Sequence, residues 1–142
     1  MATERRMKGP TSPAGDQDRM AVEAAVRDYF DGWFDGDVER MRRALHPSLA
    51  KGNVDEDGDP SDGVSSCTAE EMIAWTSSGN GVRRALSGRA YEIRIDEISA
   101  DIAAATVHSD PCFEFLHLAP TRAGWQIVNA LWRFADGYRP AN

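Results

Sequence analysis

Apolar side chains recur at helical spacing in the first part of the chain. The positions of this apolar stripe are Val22, Val26, Tyr29, Phe30 and Trp33. Steps of three and four residues place such side chains on one face of an α-helix. The pattern predicts a helix from about Asp18 to Asp35, ended by Gly36 because glycine readily adopts the left-handed conformation of a helix C-terminus.

Two shorter helices are predicted next. Asp37 can cap the first of them by accepting hydrogen bonds from exposed backbone amides, and Pro47 disfavours helical geometry at the preceding residue. We therefore expect this helix to end at His46. Residues 52–66 are rich in Gly, Asp and Ser and are predicted to form a loop, either a plain connection or a lid over a cavity. Thr68 followed by Glu71 is the sequence of a capping box and predicts a third, short helix.

From about Arg89 the hydrophobic period changes from helical to alternating. The predicted strands begin near Tyr91 and continue over Ile102–Ser109, Cys112–Leu118 and Trp125–Phe134. Helices followed by consecutive strands with short connections are typical of an α+β domain with an antiparallel sheet. Both faces of the last strand are mostly apolar, so we expect its outer face to meet a second subunit in a homodimer.

Composition limits the class of protein. The chain has 142 residues, 42% of them hydrophobic, and a net charge of −7. These values predict one folded domain over 18–136, between a disordered tail at 1–17 and a short tail at 137–142. The acidic charge argues against nucleic-acid binding, and no apolar run is long enough to span a membrane. Two cysteines make no disulfide framework, so we expect a cytoplasmic protein.

Glu114 is the ionisable side chain with the most interesting position. Strand alternation places it on the same face as Leu116 and Leu118, which we expect to pack on the helices. A carboxyl group in an apolar pocket has a raised pKa, which suits a general acid or base. The alternative is a structural salt bridge to Arg94 or Arg133, and both interpretations stay open.

Other polar candidates each carry a functional and a structural interpretation. His46 is either a proton shuttle at a cavity mouth or, as we favour, a side chain bonded to the last helical carbonyls. Lys51 either holds an anionic ligand or the charge of Glu114, or else lies in solvent beside the loop. His117 is expected on the outer face, while the face of His108 is not determined. These histidines have no partners at ligand spacing, so no metal site is predicted.

Four aromatic side chains are candidates for lining a pocket that stacks a planar ligand, although aromatic stripes also form plain cores. They are Tyr29, Trp33, Trp75 and Trp125. Asn129 shares a predicted face with Trp125, and we favour a ligand contact for its amide over a structural role. The chain contains no phosphate-binding loop and no dinucleotide fingerprint, so no cofactor is predicted.

Four stretches of the chain together are similar to the nuclear-transport-factor-2-like superfamily and, within it, to the group named "Putative lumazine-binding". They are YFDGW at 29–33 with Gly36-Asp37, ALHPSLAK at 44–51, EFLHL at 114–118, and GWQIVN at 124–129 with Leu131-Trp132. The resemblance covers about residues 20 to 134. The group usually has Asp at the position of Glu114, Tyr at that of Phe115 and Arg at that of Gly52.

The resemblance implies a cone, in which a strongly curved antiparallel sheet wraps around three N-terminal helices and encloses an apolar cavity. It also implies a homodimer, but no single activity, because function in such folds depends on the cavity. We predict cofactor-free acid–base catalysis on a small hydrophobic molecule, namely isomerisation, dehydration or cyclisation. Glu114 would move the proton, and Asn129, Tyr29 and His46 would orient the substrate. The alternatives are a non-catalytic small-molecule binder and a dimeric interaction module with a filled pocket.

Overall fold

Four helices and six strands occur in residues 13–54 and 63–136, the part of the chain that the computed structural model describes. The helices are α1 (Pro13–Asp35), α2 (Val38–Ala44), α3 (Ala69–Ser77) and α4 (Asn80–Ala85). The strands are β1 (Leu45–Val54), β2 (Val64–Cys67), β3 (Tyr91–Ser99), β4 (Ile102–Ser109), β5 (Cys112–Thr121) and β6 (Gly124–Phe134). Residues 1–12 and 137–142 of the expected tails, and 55–62 of the expected loop, lie outside the described residues.

Helix α1 follows the predicted apolar stripe and ends at Asp35, as expected, but it begins at Pro13, before the predicted start. Gly36 adopts a φ of +70°, and Asp37 then caps α2 by accepting from the backbone N–H of Arg40 at 3.2 Å. Gly32 lies where α2 crosses α1, since a Cβ at this position would be 3.0 Å from the backbone nitrogen of Met41. The glycine therefore allows the two helices to approach closely.

The prediction that the second helix ends at His46 is wrong. Helix α2 ends at Ala44, and the chain continues directly into β1, which pairs in parallel with β6. The register of this pairing is irregular between Leu45 and Ala50, the segment that contains Pro47, and irregular pairing is where a sheet tolerates proline. The predicted loop is also shorter than expected, because Val64–Cys67 forms β2 against the end of β1.

The six strands form one open sheet in the order β2-β1-β6-β5-β4-β3. Strands β3 to β6 follow one another in antiparallel hairpins, as predicted, and the parallel β1–β6 pair is the exception to the expected antiparallel sheet. Register shifts in β3 and β6 mark bulges, which bend a sheet and increase its twist. The architecture is therefore α+β, with a curved sheet that holds the helices against its inner face.

Helices α3 and α4 close one end of the inner face. Thr68 and Glu71 form the predicted capping box at the start of α3. The turn expected after α3 is short, and α4 follows it as a helix that the sequence pattern did not indicate. Gly81 of α4 is buried against α1, where a Cβ would stand 2.0 Å from the carbonyl oxygen of Trp33. Only glycine lets α4 pack this closely on α1.

The core lies between α1 and the inner face of β4, β5 and β6. Its largest fully buried apolar side chains are Val22, Val26, Met41, Val107, Leu116, Leu118 and Ile127. The inner positions of β5 alternate as predicted, so Glu114 lies on the same face as Leu116 and Leu118. None of the helices in the described segments combines the length and apolar character needed to cross a membrane.

Candidate functional site

A cavity of about 260 Å³ lies between the helices and the inner face of β1, β5 and β6. Half of its lining residues are aromatic, among them Trp33 of α1, Trp75 of α3 and Trp132 of β6. Trp75 of α3 is the most exposed of the lining residues, so α3 borders the mouth. The volume is just below the roughly 300 Å³ at which pockets for drug-sized ligands begin, so a molecule bound here is small.

Three polar side chains meet at the buried end of this cavity. The hydroxyl of Tyr29 donates a hydrogen bond to Oε2 of Glu114 at 2.5 Å. The ammonium of Lys51 in turn donates to the hydroxyl oxygen of Tyr29, and its Nζ lies 3.5 Å from the same carboxylate oxygen. Glu114 is 2% exposed and Lys51 is 8% exposed. The three residues form one enclosed network, which we name the Lys–Tyr–Glu cluster.

Each member of the cluster comes from a regular position of its element. Tyr29 belongs to the buried stripe of α1, and Glu114 belongs to the inner face of β5. Lys51 is two residues after buried Leu49 in β1, so strand alternation turns it inward as well. Residues that are 85 positions apart in the sequence, Tyr29 and Glu114, thereby come within hydrogen-bond distance.

Burial and neighbouring charge define the hydrogen-bonding roles. Burial, followed by the charge of Glu114, raises the pKa of Tyr29 well above its usual value, so its hydroxyl keeps its proton and acts as a donor. The Lys51 ammonium also lies 3.5 Å from the sulfur of Met72 and 5.6 Å from the centre of the Trp132 ring. Protein groups thus surround the cation, and among the described residues one carboxylate oxygen of the network has no hydrogen-bond partner.

That atom is Oε1 of Glu114. No described residue donates a hydrogen bond to it. In contrast, Oε2 accepts a hydrogen bond from Tyr29 and lies 3.5 Å from Nζ of Lys51. Buried polar atoms in proteins almost always have a hydrogen-bond partner. An unpaired carboxylate oxygen beside a cavity is consequently the atom best placed to bind a polar group of a ligand or to accept its proton.

Cys112, which lines the cavity, keeps its thiol protonated near neutral pH. Burial, with the nearby charge of Glu114, raises the pKa of the Cys112 thiol to about 11, and burial also raises the pKa of Cys67. Nucleophilic cysteines need the thiolate near neutral pH. The site therefore does not support thiol chemistry. The described residues also contain no group of three His, Cys, Asp or Glu side chains that could hold a metal ion.

The structure brings five of the predicted site residues together. Tyr29, Trp33, Lys51, Trp75 and Glu114 all line the cavity. Glu114 does form a salt bridge, as the alternative interpretation expected, but its partner is Lys51. The expected partners are wrong, because Arg94 pairs with Asp96 and Arg133 pairs with Asp136. The expectation of a solvent-exposed Lys51 is also wrong, since its partner is the carboxylate itself.

His46 does not reach the cavity. It is half-buried at the start of β1, and its Nδ1 accepts a hydrogen bond from the backbone N–H of Ser48 at 3.0 Å. The helix that was expected to end at His46 ends two residues earlier, at Ala44, so His46 is part of β1. Its expected roles as shuttle or helix cap both depended on that terminus.

Asn129 faces away from the cavity. The register of β5 with β6 shifts between His117 and Leu118, so that Val128 is an extra residue in β6. This bulge reverses the alternation, and Asn129 lies on the outer face with its Oδ1 2.7 Å from Nδ1 of His117. Trp125 lies at the far end of β6, half-buried against the core and outside the cavity wall.

Sequence reasoning missed several lining residues: Met72, Asn80, Arg84, Cys112, Trp132 and Phe134. Strict alternation along β6 predicts that Trp132 lies on the outer face. The bulge at Val128 turns Trp132 to the inner face, where it lines the cavity. Arg84 had no signal, because the helix that carries it was not predicted. His108 and His117 are both exposed on the outer face.

The fold and its cavity define an NTF2-like protein with a cystatin-like fold. An NTF-2-like protein of unknown function from Silicibacter pomeroyi DSS-3 is 18% identical with a TM-score of 0.67, over 85% of this chain and 98% of that chain. A second from Shewanella baltica OS155 is 15% identical with a TM-score of 0.66, over 89% and 99%. A third from Novosphingobium aromaticivorans is 15% identical with a TM-score of 0.60, over 93% and 94%.

The chain belongs to the family described as "Putative lumazine-binding", whose sequence model matches residues 17–133. Among curated proteins, none matches the sequence. At 15 to 18% identity the structural relatives share the fold alone. What this protein does must therefore be argued from its own cavity.

Proposed function

We propose that this protein binds a small, largely apolar molecule in its cavity and catalyses a cofactor-free proton transfer on it, with Glu114 as the acid–base residue. The observation that carries the proposal is Oε1 of Glu114, a buried carboxylate oxygen that borders the cavity and has no partner among the described residues. The family's description supports a small ligand for the same cavity.

The two carboxylate oxygens of Glu114 have different roles in the proposed reaction. Tyr29 and Lys51 hold Oε2 and thereby fix the orientation of the carboxylate. Oε1 then takes a proton from an activated C–H or O–H group and returns it at a second position of the same molecule. The aromatic wall excludes water, which strengthens the electrostatic interactions inside. Isomerisation, dehydration and cyclisation all proceed through such a step.

A neutral chemical probe tests the base directly. 5-Nitrobenzisoxazole is flat and small, and removal of its ring C–H proton breaks the N–O bond and releases the coloured 2-cyano-4-nitrophenolate. We expect the protein to accelerate this elimination about 10²- to 10⁴-fold over free acetate at equal concentration, the range typical of a positioned base. Glu114→Gln should abolish the acceleration, because the amide cannot accept the proton.

The control is Glu92→Gln, which removes the same charge at an exposed position on β3 and should leave the rate unchanged. Because Glu114→Gln leaves Lys51 without its counter-charge, a second variant, Glu114→Asp, keeps the charge and draws it back by one methylene. We expect Glu114→Asp to bind the probe and react at least tenfold more slowly. Equal rates for the wild type and both Glu114 variants would contradict the proposal.

One observation favours a second candidate, a binding protein without catalysis. The carboxylate of Glu114 already forms an ion pair with Lys51 and a hydrogen bond with Tyr29, an arrangement that can hold a ligand in place without reacting with it. Such a protein would hold a ligand through Oε1 and release it unchanged. Binding of the nitrobenzisoxazole to the cavity without any turnover would identify this second function.

The outer face of the sheet supports a homodimer. Phe115 and Leu131 lie directly opposite each other on β5 and β6 and are 59% and 45% exposed. Paired apolar side chains in water are typical of an interface between subunits. We infer that this face packs on a second copy of the chain.

Both cysteines are free, which agrees with a reducing, cytoplasmic compartment.

A further inference from the structure

The charges around the cavity do not balance. Three side chains of the lining carry full charges, and two of them, Lys51 and Glu114, neutralise each other. The third is Arg84 on α4, and no described acidic side chain lies within salt-bridge distance of its guanidinium. In a chain with a net charge of −7, the described residues of the cavity lining therefore carry a net positive charge of one.

Arg84 is held in place by an aromatic side chain. Its guanidinium carbon lies 5.0 Å from the centre of the Phe134 ring, a cation–π contact that holds the group beside the ring. The guanidinium N–H groups donate to no described residue and are therefore available to a ligand. Carboxylates are the oxyanions that match this planar, two-pronged geometry.

The sheet places Phe134, the ring that Arg84 contacts, one inner step from Glu114. Phe134 pairs with Cys112, and Trp132 pairs with Glu114, so the two pairs are one inner step apart along β5 and β6. Two residues along a strand span about 7 Å. That length is comparable to a single ring with a short side chain, and the flanking indoles of Trp33 and Trp132 offer flat surfaces to such a ring.

We infer that the ligand of this cavity is a small planar carboxylate, whose carboxylate group binds Arg84 at the mouth while its ring reaches the Lys–Tyr–Glu cluster. A single guanidinium matches a single negative charge, which favours a monocarboxylate over a phosphate ester. The inference rests on the proposed function, because it assigns the substrate class of the same cavity.

The test compares two probes of the same shape, trans-cinnamate and its neutral analogue trans-cinnamamide. Binding is followed by two-dimensional NMR of the tryptophan indole N–H groups. Three of the four tryptophans line the cavity, and Trp125, which does not, serves as the internal reference. We expect cinnamate to bind at least tenfold more tightly than cinnamamide, as charge-assisted hydrogen bonds predict.

The variants separate the charge of Arg84 from the rest of the cavity. Arg84→Met should weaken cinnamate binding about tenfold and leave cinnamamide binding unchanged, and Arg84→Lys should fall between the two. Arg122→Met removes the same charge in the turn between β5 and β6, at the far end of β6 from Phe134, and should change neither affinity.

Equal affinity of the two probes for the wild type would overturn the carboxylate assignment, as would an equal loss of both in Arg84→Met. Tighter binding of phenyl phosphate than of cinnamate would overturn it in favour of a phosphate ester. In all three cases the elimination of neutral nitrobenzisoxazole still reports on Glu114, so the proposed function stands or fails separately. Binding of neither cinnamate nor cinnamamide, together with no elimination, would contradict both.

Discussion

Lys51 and Glu114 are nearly completely enclosed, so each charge depends on the other for stabilisation. Breaking a buried ion pair by removing one partner leaves an uncompensated charge, which typically costs about 3 to 5 kcal/mol. We expect Lys51→Met to lower the free energy of unfolding by about this amount. Urea denaturation at neutral pH measures it.

The double variant Lys51→Met with Glu114→Gln is the matched control. Removing both charges leaves neither one unpaired, so most of the lost free energy should return. A double variant that is less stable than Lys51→Met alone would contradict the view that the two charges compensate each other. The result would be independent of whether the cavity performs catalysis.

The buried thiol of Cys112 predicts a loss of stability at high pH. Its pKa is about 11 in the folded protein against an ordinary value of 9.0. Between these values the unfolded chain has released the proton and the folded chain has kept it, so stability falls as the pH rises from 9 towards 11. The raised pKa of Tyr29 acts in the same direction above its ordinary value of 10.0.

The contribution of Cys112 is about 3 kcal/mol at most, from two pKa units at about 1.4 kcal/mol each. We expect Cys112→Ala to flatten the decline of the free energy of unfolding between pH 8 and pH 10, because the variant has no thiol to ionise. Urea denaturation at several pH values compares the two slopes. Identical slopes in the wild type and in Cys112→Ala would contradict the burial of the thiol.

Individual site residues could be predicted where their element is regular. The positions of Tyr29 and Glu114 in the cavity wall follow from uninterrupted helical and alternating patterns. The position of Asn129 did not follow, because one extra residue at Val128 reverses every later side chain of β6. The pairing of Lys51 with Glu114 was one alternative from the sequence, but the pattern could not decide between it and a solvated lysine, since only the folded chain brings the two charges together.

At the scale of elements, the contact of α4 with α1 depends on Gly81. A Cβ at this position would meet the carbonyl oxygen of Trp33 at 2.0 Å, and backbone atoms cannot move aside as a flexible side chain can. We expect Gly81→Ala to lower the free energy of unfolding by about 1 to 3 kcal/mol, as overpacking does. This is the reverse of the usual stabilisation by alanine in a helix.

Leu86→Ala is the comparison for the Gly81→Ala variant. Leu86 follows the same helix and is 85% exposed, so its truncation should change the stability by less than about 0.5 kcal/mol. Thermal and urea unfolding measure both variants. A Gly81→Ala protein as stable as the wild type would mean that α4 packs farther from α1 than the structure has it.

Elements were predictable where local pattern and tertiary pairing agree. The meander β3–β6 and helix α1 match their hydrophobic periods, and the capping box of α3 was visible in two residues. Strand β1 was not predictable, because its parallel pairing with β6 overrides a helical pattern that runs through Leu45. Helix α4 has six residues, too few for a period to be recognised.

At the scale of the whole molecule, the exposed pair Phe115 and Leu131 predicts the oligomeric state. We expect the wild type to sediment as a dimer and Phe115→Glu to sediment as a monomer, because a charge placed at the centre of an apolar interface is costly to bury. Sedimentation velocity at micromolar concentration measures this. Leu86→Glu, which adds the same charge on α4, should leave the dimer intact.

A monomeric wild type would contradict the dimer directly. If Leu86→Glu also dissociated it, the interface would involve α4 and the mouth of the cavity in place of the sheet. Circular dichroism of each variant establishes that the change in mass comes from dissociation of folded chains. The prediction is independent of the ligand, since the outer face and the cavity are on opposite sides of the sheet.

The insertion of β1 between β2 and β6 has a consequence for biosynthesis. The ribosome releases α1 and β1 before β5 and β6 have been translated, so the strand that β1 must join is the last of the six described strands to be made. Until then the apolar stripe of the nascent helix has no sheet to cover it, which is the circumstance in which chains recruit chaperones or aggregate. The wall of the cavity is therefore complete only after β6 has left the ribosome.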